Sequence, residues 1–87
     1  MKIVVERGAN DADLNLARDW VIAHGVDPNL VPIPAEIVVD DGRITFEQLV
    51  RDEDGRFVIE GDDVKRTTVT VEQRWPWPFE RAVLAGA

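Results

Sequence analysis

The chain has 87 residues and a 45% apolar content, enough for one domain with a small core and too little for two. It lacks cysteine, which excludes disulfides and thiolate metal centres. A net charge of −7, with ten basic residues spread along the chain without a cluster, argues against binding a nucleic-acid backbone, because phosphates need a basic face.

The first element is "KIVVE" (Lys2 to Glu6), short and β-branched, and it reads as a strand. "RGAND" follows as a break and a helix start. Asn10 or Asp11 can cap the first turn, and Asp11 and Asp13 place negative charge at the positive end of the helix dipole. The helix should run from about Asp11 to His24. Gly25 is free to take the left-handed conformation after it, and Pro28 prevents continuation. On a helical wheel Leu14, Leu16, Ala17, Trp20, Val21 and Ala23 share one half, and Ile22 falls on the polar half. His24, at the expected helix end, reads as a cationic cap.

"VDPNLVPIPAE" is a proline-rich connection whose Leu30, Val31 and Ile33 call for burial, so it should lie over the core as an extended strap. From Glu36 the period changes to two. "EIVVD", Asp41-Gly42 and "RITFEQLV" form a tight hairpin with positive φ at the turn. Ile44, Phe46, Gln48 and Val50 then share one face of the second strand. "RDEDG" is a turn, "RFVIE" a short strand or irregular return, and "GDD" another turn. "VKRTTVTVEQRW" is a long last strand, with Lys65 and Arg66 suited to a sheet edge.

Trp75 to Phe79, the "WPWPF" of the last segment, must leave the sheet in an extended path. Either Trp75 and Phe79 fold back over the core, or Trp77 and its neighbours form a patch for a partner. Both hold if one indole points inward and the other outward. "ERAVLAGA" should add a helical turn and then fray. The expected fold class is α+β: one N-terminal helix on a mainly antiparallel sheet of roughly three to five strands, in the order β-α-β-β-β-β. Residues 1–87 form a single domain, with 74–87 as a Pro/Trp-rich tail.

Little of the chain is suited to catalysis. It has no Ser, Cys or Tyr, and His24 is the lone histidine, with no partner visible in the sequence. Three acidic clusters (Asp40-Asp41, Asp52-Glu53-Asp54, Asp62-Asp63) each adjoin a glycine between strands, which is turn chemistry. The middle one begins like a calcium loop, but Arg56 and Phe57 occupy positions where that loop needs a ligand and a glycine. No enzyme, metal site, cofactor or small-molecule substrate is expected.

"LARDWVIAHGVDPNLVP", "DGRITFEQLVRDEDG" and a final strand ending in prolines resemble a group of small uncharacterised proteins encoded by actinobacteria and their bacteriophages. The resemblance covers Leu14 to Pro78 and implies an accessory gene product of phage or prophage origin, with no activity or site residue to carry over. The function expected is protein–protein interaction in the cytoplasm (the host's, if phage-encoded), with a protein partner or a second copy. No membrane contact is expected, since no apolar run approaches a span of ~20 residues. The candidate interaction residues are Trp75, Trp77, Phe79 and Ile22. The alternative is an acidic mimic of nucleic acid that occupies a DNA-binding protein.

Overall fold

A computed structural model describes residues 1–86; Ala87, the last residue of the expected tail, lies outside them. The elements in chain order are β1 (Lys2–Val5), α1 (Asp11–Ala23), a 3₁₀ turn (Pro28–Leu30), β2 (Ala35–Asp40), β3 (Arg43–Leu49), β4 (Ile59–Glu60), β5 (Asp63–Val64), β6 (Arg66–Glu72) and β7 (Val83–Leu84). The fold is α+β, with one helix on a five-stranded sheet of order β6-β3-β2-β1-β7. All its pairings are antiparallel except β1 with β7.

The helix is closed at both ends by its own sequence. Asn10 Oδ1 accepts from the Asp13 main-chain N–H at 2.9 Å, and Asn10 Nδ2 donates to the Asp13 carboxylate at 3.0 Å. The first of these meets an orphan N–H of the first turn, and the second holds the capping side chain in place. At the other end Gly25 takes φ +76. The Val26 N–H reaches Val21 O and the Gly25 N–H reaches Ile22 O, the bonding pattern of a Schellman motif. Val26, just beyond, is buried.

The Asp41-Gly42 turn has positive φ at both residues, +49 and +70, so its twist matches the strands it joins. Ile37 then faces Phe46 and Val39 faces Ile44, on the side carrying the core with Ile3, Val5, Ala35, Val69, Val71 and Leu84. Gln48 and Val50, expected on this face, are half-buried. β6 continues the ladder in one unbroken register, from Arg43↔Glu72 to Leu49↔Arg66, and forms a sheet edge.

"RFVIE", expected as a short strand or an irregular return, is largely the latter: it contributes Ile59–Glu60, paired with Asp63–Val64 in a separate two-stranded ladder. Several other expectations are corrected. Leu16 and Ala23 are exposed although the wheel groups them with the apolar half, and Ile33 on the strap is exposed as well. Residues 80–86 of "ERAVLAGA" form no helical turn. Val83–Leu84 pairs in parallel with β1, the Val4 N–H donates to Ala82 O and the Glu6 N–H to Leu84 O, each at 2.8 Å. Leu84 is 0% exposed.

The need for this closure is geometric. Five strands at ~4.8 Å spacing place the outer strands about 19 Å apart, while a helix with its side chains is about 10 Å wide. One helix cannot cover such a face. Two proline-bearing segments flank it, each running antiparallel to α1: the strap from Gly25 to Ala35 on one side and residues 73–82 on the other.

Candidate functional site

The aromatic segment occupies the second flank. Trp75 lies beside the end of α1, through bonds to Trp20 and His24, and Arg81 lies beside its start, paired with Asp13. Six residues of extended chain span about 19 Å, and eleven residues of helix about 16 Å, so the two segments match in length. The prolines hold residues 75–79 out of the ladder, and each aromatic along this path has a different environment.

Trp77 points inward. It is 8% exposed, its ring meets Trp20 edge to face at 5.0 Å, and Phe79 packs tilted against it at 5.1 Å. Its indole N–H donates to Arg81 O at 3.0 Å, so the polar end of the ring is satisfied within the fold. Phe79 is half-buried, with the Arg81 guanidinium 5.2 Å from its ring centre. Trp75 points outward and is 59% exposed. One indole thus points inward and the other outward, and the structure assigns the inward place to Trp77, which sequence alone left undecided between the two.

His24 connects α1 to this segment. The last helical turn tightens, with the His24 N–H going to Val21 O, and this leaves the Trp20 carbonyl free. His24 Nδ1 takes it at 2.8 Å, and Nε2 lies 3.0 Å from the Arg74 N–H and 3.2 Å from the Trp75 N–H. A carbonyl at Nδ1 requires the hydrogen there, and two N–H donors at Nε2 require a bare nitrogen. The ring works in its Nδ1–H form, buried as a strut between helix and tail, and not as the cationic cap expected. Both nitrogens are committed to the main chain.

The backbone of Trp75 is therefore held from both sides. Its N–H goes to His24, and its carbonyl accepts from Trp20 Nε1 at 3.1 Å and from Gln73 Nε2 at 3.2 Å. Ile22 is 50% exposed but lies two residues, about 160° around the helix, from Trp20. It sits on the flank away from the tail and shares no surface with Trp75. Of the four candidate residues, the structure brings Trp77 and Phe79 together in the interior and leaves Trp75 and Ile22 on separate exposed surfaces.

Sequence reasoning missed three contributors. Leu16 is half-exposed on the outer side of α1, roughly 40° around the helix from Trp20. A groove of about 460 Å³ lies between α1 and the strap, with Leu14, Val21, Val31 and Ile33 among its walls and Arg18 among its polar residues. The sheet face turned away from the helix carries exposed Val38 and Val83. Four of the charges there form pairs, Lys2 with Glu36 at 3.2 Å and Arg66 with Glu47 at 3.4 Å. Period-two alternation pointed to that face; nothing local pointed to the groove.

The acidic clusters do not converge. Asp40 and Asp41 flank the start of β3, Asp52 to Asp54 follow its far end, and Asp62 and Asp63 turn between β4 and β5. Asp52 Oδ1 accepts from the main-chain N–H groups of Asp54 and Arg56, which accounts for it as a turn residue. Among the described residues, no three acidic or imidazole groups are arranged to hold a metal ion. No helix among the described residues is long and apolar enough to cross a membrane. No family model, curated protein or solved structure matches the chain.

Proposed function

We propose that this is a small non-enzymatic accessory protein that acts in the cytoplasm by binding another protein, with Trp75 as its anchor. The observation that carries this reading is an indole 59% exposed on a main chain fixed by three hydrogen bonds. A fixed tryptophan offers a large contact area with little left to order on binding, and tryptophan is enriched among residues that dominate interface energies. Leu16, on the outer side of the adjoining helix, extends the apolar area. The non-enzymatic part of the reading is supported by His24, whose two ring nitrogens are both engaged. An accessory role also accords with the resemblance of Leu14 to Pro78 to small proteins of actinobacteria and their phages.

The test is a pull-down with the tagged protein, comparing the unmodified chain with Trp75→Ala and with Ile59→Ala, a change at another exposed apolar residue. Trp75→Ala should lose the specific partner while Ile59→Ala keeps it. A partner list unchanged by Trp75→Ala would remove this surface from the proposal.

A further inference from the structure

The two edges of the sheet differ. β7 offers two residues, whereas β6 offers seven, Arg66 to Glu72, in a register without a bulge. The strand contains no proline, and Thr67 to Val71 are all β-branched. Beyond Arg66 and Glu72 near its two ends, it lacks the devices that usually blunt an edge.

Its free hydrogen-bonding groups can be assigned. The Gln73 N–H donates to Gly42 O at 2.8 Å and the Val50 N–H to Lys65 O at 2.9 Å, so odd-numbered residues here turn their main chain toward β3. By alternation, the N–H and C=O groups of Arg66, Thr68, Thr70 and Glu72 point away from the sheet. Antiparallel pairing with an identical strand must therefore set even-numbered residues opposite even-numbered ones.

We infer that β6 pairs with β6 of a second copy about a two-fold axis through Val69, joining two five-stranded sheets into one. This register is chosen by charge. It sets Arg66 opposite the other copy's Glu72 twice, and Thr68 opposite Thr70 twice. Sliding by one step of the ladder in one direction sets Arg66 against Arg74. The opposite step sets Arg66 against Thr70 and Glu72 against Val64, leaving both charges unmatched.

The pairing also extends contacts already present. Arg43 stands opposite Glu72 within the chain, and Arg66 bonds Glu47 at 3.4 Å. Across the junction the charges then alternate: Arg43, Glu72, Arg66 of the other copy and its Glu47. On the core-bearing face Val69 meets Val69 and Thr67 meets Val71, covering valines that are half-buried in the single chain. The surface differs from that of Trp75 and is probed by different variants, so either proposal can fail alone.

Light scattering coupled to size exclusion should give a dimer mass. Arg66→Glu and Glu72→Arg should each weaken dimerisation by at least about tenfold through like-charge pairs. An equimolar mixture of the two should dimerise again, because each then supplies the charge the other lacks. The chain has no native cysteine, so Val69→Cys should give a disulfide-linked dimer on mild oxidation. Thr67→Cys should stay unlinked, its counterpart lying four residues along, roughly 13 Å away. Thr70→Pro removes an outward N–H without breaking a main-chain bond to β3, losing there only the hydroxyl contact with Thr45, and it decides the matter if a charge variant fails to fold. A monomer at all concentrations overturns the proposal, as does a dimer insensitive to Thr70→Pro or folded charge variants whose mixture stays monomeric.

Discussion

Replacing Trp77 by alanine tests whether the aromatic segment belongs to the core. The ring is 8% exposed, packs against Trp20 and Phe79 at 5.0 and 5.1 Å, and donates a hydrogen bond to Arg81 O. Truncating a buried tryptophan costs about 3–5 kcal/mol in lost transfer energy and residual cavity. Removing the indole N–H adds up to about 1 kcal/mol at the Arg81 carbonyl. At roughly 0.05–0.15 kcal/mol per residue, a domain of this length has only about 4–13 kcal/mol in total. Trp77→Ala should therefore consume much or all of its stability. Trp75→Ala, two residues away, removes a ring 59% exposed and should change stability by no more than about 0.5 kcal/mol. Urea titration followed by far-ultraviolet circular dichroism compares the two without relying on tryptophan emission. The Trp77→Ala midpoint should fall by more than ~1 M, and Trp77→Phe keeps a ring in place if the alanine variant does not fold. Equal midpoints for Trp75→Ala and Trp77→Ala, or a larger loss at Trp75, would refute the reasoning.

Two further changes test the closure of the tail. His24→Ala leaves the Trp20 carbonyl and the Arg74 and Trp75 N–H groups without the ring that joins them. The expected loss is about 2–3 kcal/mol, given partial access to water at the tail, and the Arg74 and Trp75 amides should exchange faster; unchanged protection there would remove the strut role. Gly86→Ala would place a methyl group 2.6 Å from the Gly8 carbonyl oxygen, a main-chain atom that cannot swing aside. About 1–3 kcal/mol, read as a melting point lower by several degrees, is expected, with faster exchange at the Glu6 amide; an unaltered melting curve would show that the end of the chain does not press on the β1–α1 loop.

What local sequence determined, it determined through short-range physics. Asn10 and Gly25 bound the helix because capping and positive φ are properties of a few adjacent residues. Asp41-Gly42 set the hairpin, and the period of two assigned Ile44 and Phe46 to the buried face. The run of Thr and Val ending before two prolines marked β6 as a strand and, with Lys65 and Arg66, as an edge. Each of these features is complete within a dozen residues, so no distant contact was needed to see it.

Only the tertiary structure decided the rest. Val83–Leu84 is too short to show any period, and it is a strand because β1, some eighty residues earlier, has an open side. Leu16 and Trp20 are both apolar and neighbours on the wheel, yet only Trp20 is buried, because the tail lies along that flank and supplies Trp77. His24 became a neutral strut when a tightened last turn freed one carbonyl and the tail brought two N–H groups to its other nitrogen. The prolines foretold that Trp75 and Trp77 would leave the sheet. Which indole turned inward was decided by the width of a five-stranded face that one helix cannot cover.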